Sequence, residues 1–161
     1  PDYNSMWLNT SANEEGALNV YPQYESNGMV YNWYAVVDDS GLCPEGWSVP
    51  SKSNYESLIE YAELVYADDY VFSLVDDTQG LGTNETGYSA TTTGYVDGQN
   101  GFVYAPTGQF QYMWFWTSTL GPFPDAWSWR INTSFGNPIN QGTTNQLKSR
   151  GLAVRCIKDA E

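Results

Sequence analysis

A single long stretch of this chain has helical periodicity, and that limits the folds open to it. Tyr55, Leu58, Ile59, Ala62, Val65 and Tyr66 recur at three- and four-residue steps. This is the pattern of an amphipathic helix with one face on a core. Ser53-Asn54-Tyr55-Glu56 is a capping-box pattern and predicts its start; Asp68-Asp69 predicts its end. From residue 70 the chain reads as short strands and turns, with turn signals at Gly80, Gly82, Gly87, Gly94, Gly98, Gly101 and Gly108. Trp127, Trp129 and Ile131 alternate with Ser128, Arg130 and Asn132, as in a strand with one apolar and one polar face. Residues 132–146, rich in Asn, Thr and Gly, read as a long irregular excursion, and residues 152–157 as a final strand. Residues 29–37 suit a short helix or a strand equally. The expected class is α+β, with one or two helices packed on short antiparallel strands.

The chain has 161 residues, enough for one domain with its own core. Residues 1–28 read as a loop-rich lead-in to the domain whose body is 29–161. The polar start without Met is expected of a mature or excised piece of a larger chain or assembly. No run of apolar residues is long enough to span a membrane, so membrane insertion is not expected. Nineteen Asp and Glu against six Lys and Arg give a net charge of −13. Nucleic acid is excluded as a partner on that balance, since phosphate binding needs clustered cations.

Histidine is absent and there are two cysteines, Cys43 and Cys156. A Cys–His catalytic pair is therefore impossible, and neither cysteine has zinc-site spacing. A bond between the two would close a very long loop and belong outside the reducing cytosol. Two unrelated buried thiols are the other reading. Aromatics make up 16% of the chain, alongside abundant Gly, Asn, Ser and Thr. That composition suits a recognition surface, and it suits equally a β-rich fold that uses aromatics in its strands.

Five stretches in order carry a resemblance to a known family. They are Val30-Tyr31-Asn32-Trp33-Tyr34-Ala35-Val36, Gly41-Leu42-Cys43-Pro44-Glu45-Gly46-Trp47-Ser48-Val49-Pro50-Ser51, Gly87-Tyr88-Ser89-Ala90 with Gly94-Tyr95, Phe115-Trp116-Thr117-Ser118-Thr119, and Gly151-Leu152-Ala153-Val154-Arg155-Cys156-Ile157-Lys158-Asp159. Together they resemble the Fibrobacter succinogenes major paralogous domain over roughly residues 30–159. The family often has His where Ser48 stands, and Asp and Trp where Lys52 and Tyr55 stand.

The resemblance implies a C-type-lectin-like fold with Cys43 bonded to Cys156. It implies an extracellular place, on a bacterial surface protein or a phage receptor-binding tail protein. Some related lectin-like domains are the variable targets of diversity-generating retroelements. Enzymes of the related fold use paired reactive cysteines or His-ligated iron. Here the cysteines match structural positions and His is absent, so no catalysis and no cofactor are expected. A structural calcium stays open, although neither EF-hand nor sugar-lectin spacing occurs. The expected partner is a cell-surface glycan or protein receptor. The alternative is a structural subunit of a surface fibre or filament whose aromatics pack between proteins.

The expected binding surface is residues 120–146. Strand alternation turns Trp127, Trp129 and Ile131 inward and Ser128, Arg130 and Asn132 outward. Phe123, Asp125, Phe135, Asn137 and Asn140 flank them in loops. Arg130 either sits beside an aromatic and anchors an anionic or carbohydrate ligand, or pairs with a surface carboxylate.

Overall fold

A computed structural model describes residues 16, 18–19, 29–77, 82–97, 103–104, 110–134 and 137–160. In chain order these form β1 (Leu18–Asn19), β2 (Val30–Tyr31), α1 (Trp33–Val36), β3 (Trp47–Ser48) and α2 (Lys52–Tyr66). A 3-10 turn at Ala67–Asp69 leads into α3 (Tyr70–Leu74). There follow β4 (Tyr95–Val96), β5 (Val103–Tyr104), β6 (Phe110–Leu120), β7 (Asp125–Ser134), β8 (Asn137–Leu147), β9 (Leu152–Ala153) and β10 (Ile157–Lys158). The class is α+β, as expected, but β6, β7 and β8 are 11, 10 and 11 residues long rather than short.

The main sheet has the order β1-β2-β9-β6-β7-β8. Its neighbours are antiparallel except β6 and β9, which meet in parallel at Phe115 and Ala153. Two small ribbons, β3 with β10 and β4 with β5, complete the strands of the described residues. The frame is the hairpin of β6, β7 and β8, buried on both faces at its middle. Met113, Phe115, Trp129 and Ile131 pack with Tyr55 and Ala62 of α2 and Leu74 of α3. On the opposite face Trp114, Trp116 and Ala126 pack with Trp33, Val36 and Leu152. Two reciprocal indole bonds tie α1 to that second core: Trp33 Nε1 donates to the Thr117 carbonyl (3.1 Å) and Trp116 Nε1 to the Tyr31 carbonyl (2.7 Å). The buried Asn32 caps α1, its Oδ1 accepting from Ala35 N at 3.1 Å.

Four expectations need correction. Helix α2 starts at Lys52, and its cap is Ser51, not Ser53. Ser51 Oγ accepts from Asn54 N at 3.2 Å while Asn54 Oδ1 accepts from Ser51 N at 2.8 Å. Asn at the third helical position thus plays the part that Gln or Glu usually takes. Residues 70–74 are helical rather than extended, because Phe72 and Ser73 direct their carbonyls to Thr83 N (2.9 Å) and Thr86 N (3.0 Å). These tertiary bonds override the strand preference of Tyr-Val-Phe. The expected excursion at 132–146 is regular for most of its length. Asn132–Ser134 ends β7, and β8 pairs from Asn137 to Leu147. The polar composition of β8 is that of an edge strand, where Pro138 is tolerated. Finally, the strand expected at 152–157 is two short ones. β9 lies in the main sheet, and the chain then crosses to pair Ile157 with Ser48 and Lys158 with Trp47.

The cap predicts a modest effect with a sharp internal control. Ser51→Ala lowers stability by about 1 kcal/mol, whereas Ser53→Ala stays within roughly 0.5 kcal/mol. Urea unfolding of both variants checks it, and equal effects would refute the cap assignment.

Candidate binding face

The sheet register decides which of the expected residues can act together. Trp114 lies opposite Arg130 and Trp116 opposite Ser128 between β6 and β7; Arg130 lies opposite Gly142 and Ser128 opposite Thr144 between β7 and β8. Residues paired across strands share a face. Trp114, Arg130 and Gly142 therefore form one cross-strand row. The Arg130 guanidinium lies over the Trp114 ring at 5.4 Å. Among the described residues no carboxylate pairs with Arg130, so the aromatic neighbour is its observed partner. Opposite it, Gly142 has φ +148°, and a Cβ added there would meet nothing within 4 Å. A glycine at this position keeps side-chain bulk away from the guanidinium on that side.

The row continues past Trp114. Its ring lies 6.3 Å from Tyr95, tilted by 59°. The Arg150 guanidinium lies over Tyr95 at 5.1 Å. Arg150 also reaches Asp97 at 3.6 Å and donates to Gln146 Oε1. Cation, indole, phenol and cation thus follow one another, closed by an acid and an amide. Trp114 itself is buried in the second core, so the row presents outward the half-buried Arg130, Tyr95 and Arg150, guanidinium donors beside a phenol ring, which suits a ligand with acceptor oxygens.

The other expected residues are dispersed. Ser128 is fully buried, not outward, and its Oγ donates to the Thr144 carbonyl at 3.0 Å. Its face is covered at this point by the second core, a circumstance that simple alternation does not anticipate. Trp127, expected inward, is only half-buried and lies under Lys52 Nζ at 4.4 Å. Phe123 is 87% exposed at the turn between β6 and β7, its ring 5.9 Å from Lys148 Nζ. Asp125 begins β7 half-buried, five residues from Arg130 and so about 16 Å away along the strand. The backbone of Asn132 pairs with Asn140, and that of Asn137 with Ser134; their side chains lie outside the described residues. Phe135 lies outside them as well. Trp114, Tyr95, Arg150, Asp97 and Gly142 were not anticipated. Arg150 carries no sequence signal beyond its charge, and no spacing rule joins positions 95, 114, 130 and 150.

Two features bear on chemistry and location. Burial pushes the Tyr55 phenol up to about 12, against the opposing pull of Tyr88 and Arg155, and pushes Tyr88 well above its ordinary value. Both stay protonated at neutral pH and act as packing groups. Cys43 and Cys156 are bonded, with Cα atoms 5.8 Å apart. Among the described residues no group of three or more acidic or cysteine side chains gathers as a metal site, and no helix is long and apolar enough to cross a membrane.

Composition also finds its explanation here. Five of the six cations lie over aromatic rings: Lys52 on Trp127, Arg130 on Trp114, Lys148 on Trp33 and Phe123, Arg150 on Tyr95, and Arg155 on Tyr88. Trp33, Trp114, Trp116 and Trp129 are buried. Much of the aromatic excess thus serves the two cores.

No curated protein and no solved structure matches the chain. The family model of the Fibrobacter succinogenes major domain matches residues 2–158, nearly the whole length, and with it the framework just described. The chain belongs to the Fibrobacter succinogenes major domain family.

Proposed function

We propose that this domain is a non-enzymatic extracellular binding module of C-type-lectin-like kind, displayed on a bacterial surface protein or a phage receptor-binding tail protein. The observation that carries the reading is the Arg130 guanidinium over Trp114, opposite the open position at Gly142. The disulfide supports an oxidising location. The ligand class is a saccharide or protein surface bearing a carboxylate or sulfate next to an apolar ring or sugar face. The chain's charge of −13 repels anions at long range. Screening within about 8 Å at physiological salt leaves short-range contacts to Arg130 in control.

The test is a printed array of acidic and neutral glycans probed with the native chain and with Arg130→Ala. Acidic glycans are expected to bind. Arg130→Ala is expected to lower that signal by roughly 10- to 100-fold, the loss of one or two charge-assisted hydrogen bonds. Its melting temperature should stay close to that of the native chain. Glycan binding that survives Arg130→Ala would remove this face from the reading.

A further inference from the structure

Helix α2 carries a second stripe beside the one that packs on the sheet. Asn54, Ser57, Leu58, Tyr61, Leu64 and Val65 follow one another at one- and three-residue steps along one side of the helix, Leu58 being shared with the core-facing stripe. The first half borders an apolar cavity of about 420 Å³, whose wall is completed by Pro50, Tyr55, Tyr88 and Ile157. The second half is open: Tyr61 is 54%, Leu64 85% and Val65 50% exposed. The stripe runs about 16 Å along the helix axis. Single exposed apolar residues are ordinary, but three in a row leading into an apolar cavity are the mark of a contact surface.

Charge defines what fits. Glu56, Glu60 and Glu63 form a ridge beside the stripe, and Asp68 and Asp69 follow beyond its end. The only cation on the helix, Lys52, is held by Glu56 at 2.9 Å and by Trp127. A second copy of a chain with net charge −13 would set the same acidic ridge against this one. An apolar surface with a cationic rim complements it.

We infer that this side of α2 docks a protein partner through a cationic amphipathic helix, one of whose apolar side chains seats in the cavity beside Tyr61. The stripe lies on the other side of the β6–β7–β8 sheet from Arg130, because α2 packs on the face carrying Trp129 and Ile131. The domain can therefore hold its partner and present the Arg130 face at the same time. This inference does not rest on the ligand assigned to that face.

The experiment titrates the full chain into a fluorescein-labelled helical peptide of about 18 Leu and Lys residues, followed by anisotropy at physiological salt. Saturable one-to-one binding is expected. Leu64→Ser and Tyr61→Ala should each weaken it roughly tenfold or more, while circular dichroism and melting of Leu64→Ser remain native. Glu60→Gln with Glu63→Gln should weaken it and flatten its salt dependence. Asp39→Asn with Glu45→Gln, carboxylates off the helix, should leave it unchanged. Absence of binding, binding indifferent to Leu64→Ser, or equal weakening by the off-helix pair would each overturn the inference. So would a dimer in sedimentation that Leu64→Ser dissolves, because the occupant would then be a second copy.

Discussion

Replacing both cysteines, as Cys43→Ser with Cys156→Ser, is expected to lower the melting temperature by roughly 10–20 °C. The bond joins residues 113 apart in sequence. Closing a loop of that length removes conformational freedom from the unfolded chain worth roughly 4–5 kcal/mol in the chain-entropy treatment. A domain has only about 5–15 kcal/mol in all. The position of the bond adds to its effect. Cys43 follows α1, whose Trp33 and Val36 belong to the second core, and Cys156 lies between β9 in the main sheet and β10 in its ribbon with β3. The bond therefore fastens the connector ahead of α2 to the end of the chain. Thermal unfolding of the double variant, and of the native chain with and without reductant, provides the measurement. A shift below about 3 °C would mean that the two ends are held by packing alone and that the loop-closure argument fails here.

The sequence was most legible where local rules and tertiary packing agree. Helix α2 was plain because Tyr55, Leu58, Ile59, Ala62 and Tyr66 face one way and the core meets them there, although Val65, expected on that face, is 50% exposed. The motifs behind the family resemblance turn out to be framework. Asn32 caps α1, Trp33 and Trp116 exchange indole bonds with the backbone, Cys43 and Cys156 close the chain, and Tyr88 packs its ring edge against Trp129. These contacts specify a fold. The strand β6 was the chief omission. Its core segment Met113-Trp114-Phe115-Trp116 is apolar without alternation, the mark of a strand buried on both faces. Recognising that run would have shown that β7 beside it is also covered twice, and that Ser128 could not be outward. Edge strand β8 was illegible for the opposite reason. Its Thr, Asn and Gln side chains resemble a loop because an edge strand has less to bury.

The candidate face was half legible. Arg130 was singled out from charge and alternation with either an aromatic or a carboxylate as its neighbour, and the neighbour is Trp114, sixteen residues back in sequence but directly opposite in register. Tyr95 and Arg150 reach the same row from a short ribbon and a turn, through the bridge between Val96 and Gly151. No local pattern encodes that meeting. It depends on the whole sheet being assembled first.

Trp129→Ala is expected to cost about 3–5 kcal/mol, the range for emptying a fully buried aromatic site. Trp129 has no exposed surface and is the centre of an aromatic cluster. Its ring stacks on Tyr55 at 4.8 Å and 15°, meets Tyr88 edge-on at 5.1 Å, and lies 5.8 Å from Phe115. Each such pair adds about 0.5–1.5 kcal/mol beyond the area it buries. One opposing effect is built in: among the described residues the indole Nε1 is buried without a hydrogen-bond partner, so its removal recovers part of a desolvation penalty. Trp129→Phe isolates that effect, keeping ring contact while deleting the orphan donor, and should cost only about 1–2 kcal/mol. The adjacent Arg130 supplies the contrast. Arg130→Ala should unfold at nearly the native urea concentration, since its partner Trp114 keeps its own place in the second core. Two neighbouring residues on one strand thus divide folding from the recognition proposed for Arg130, because they point to opposite faces. Urea unfolding of the three variants decides the matter. If Arg130→Ala collapsed the domain while Trp129→Ala left it intact, the register of β7 against β6 would be wrong, and with it the row of Trp114, Arg130 and Gly142.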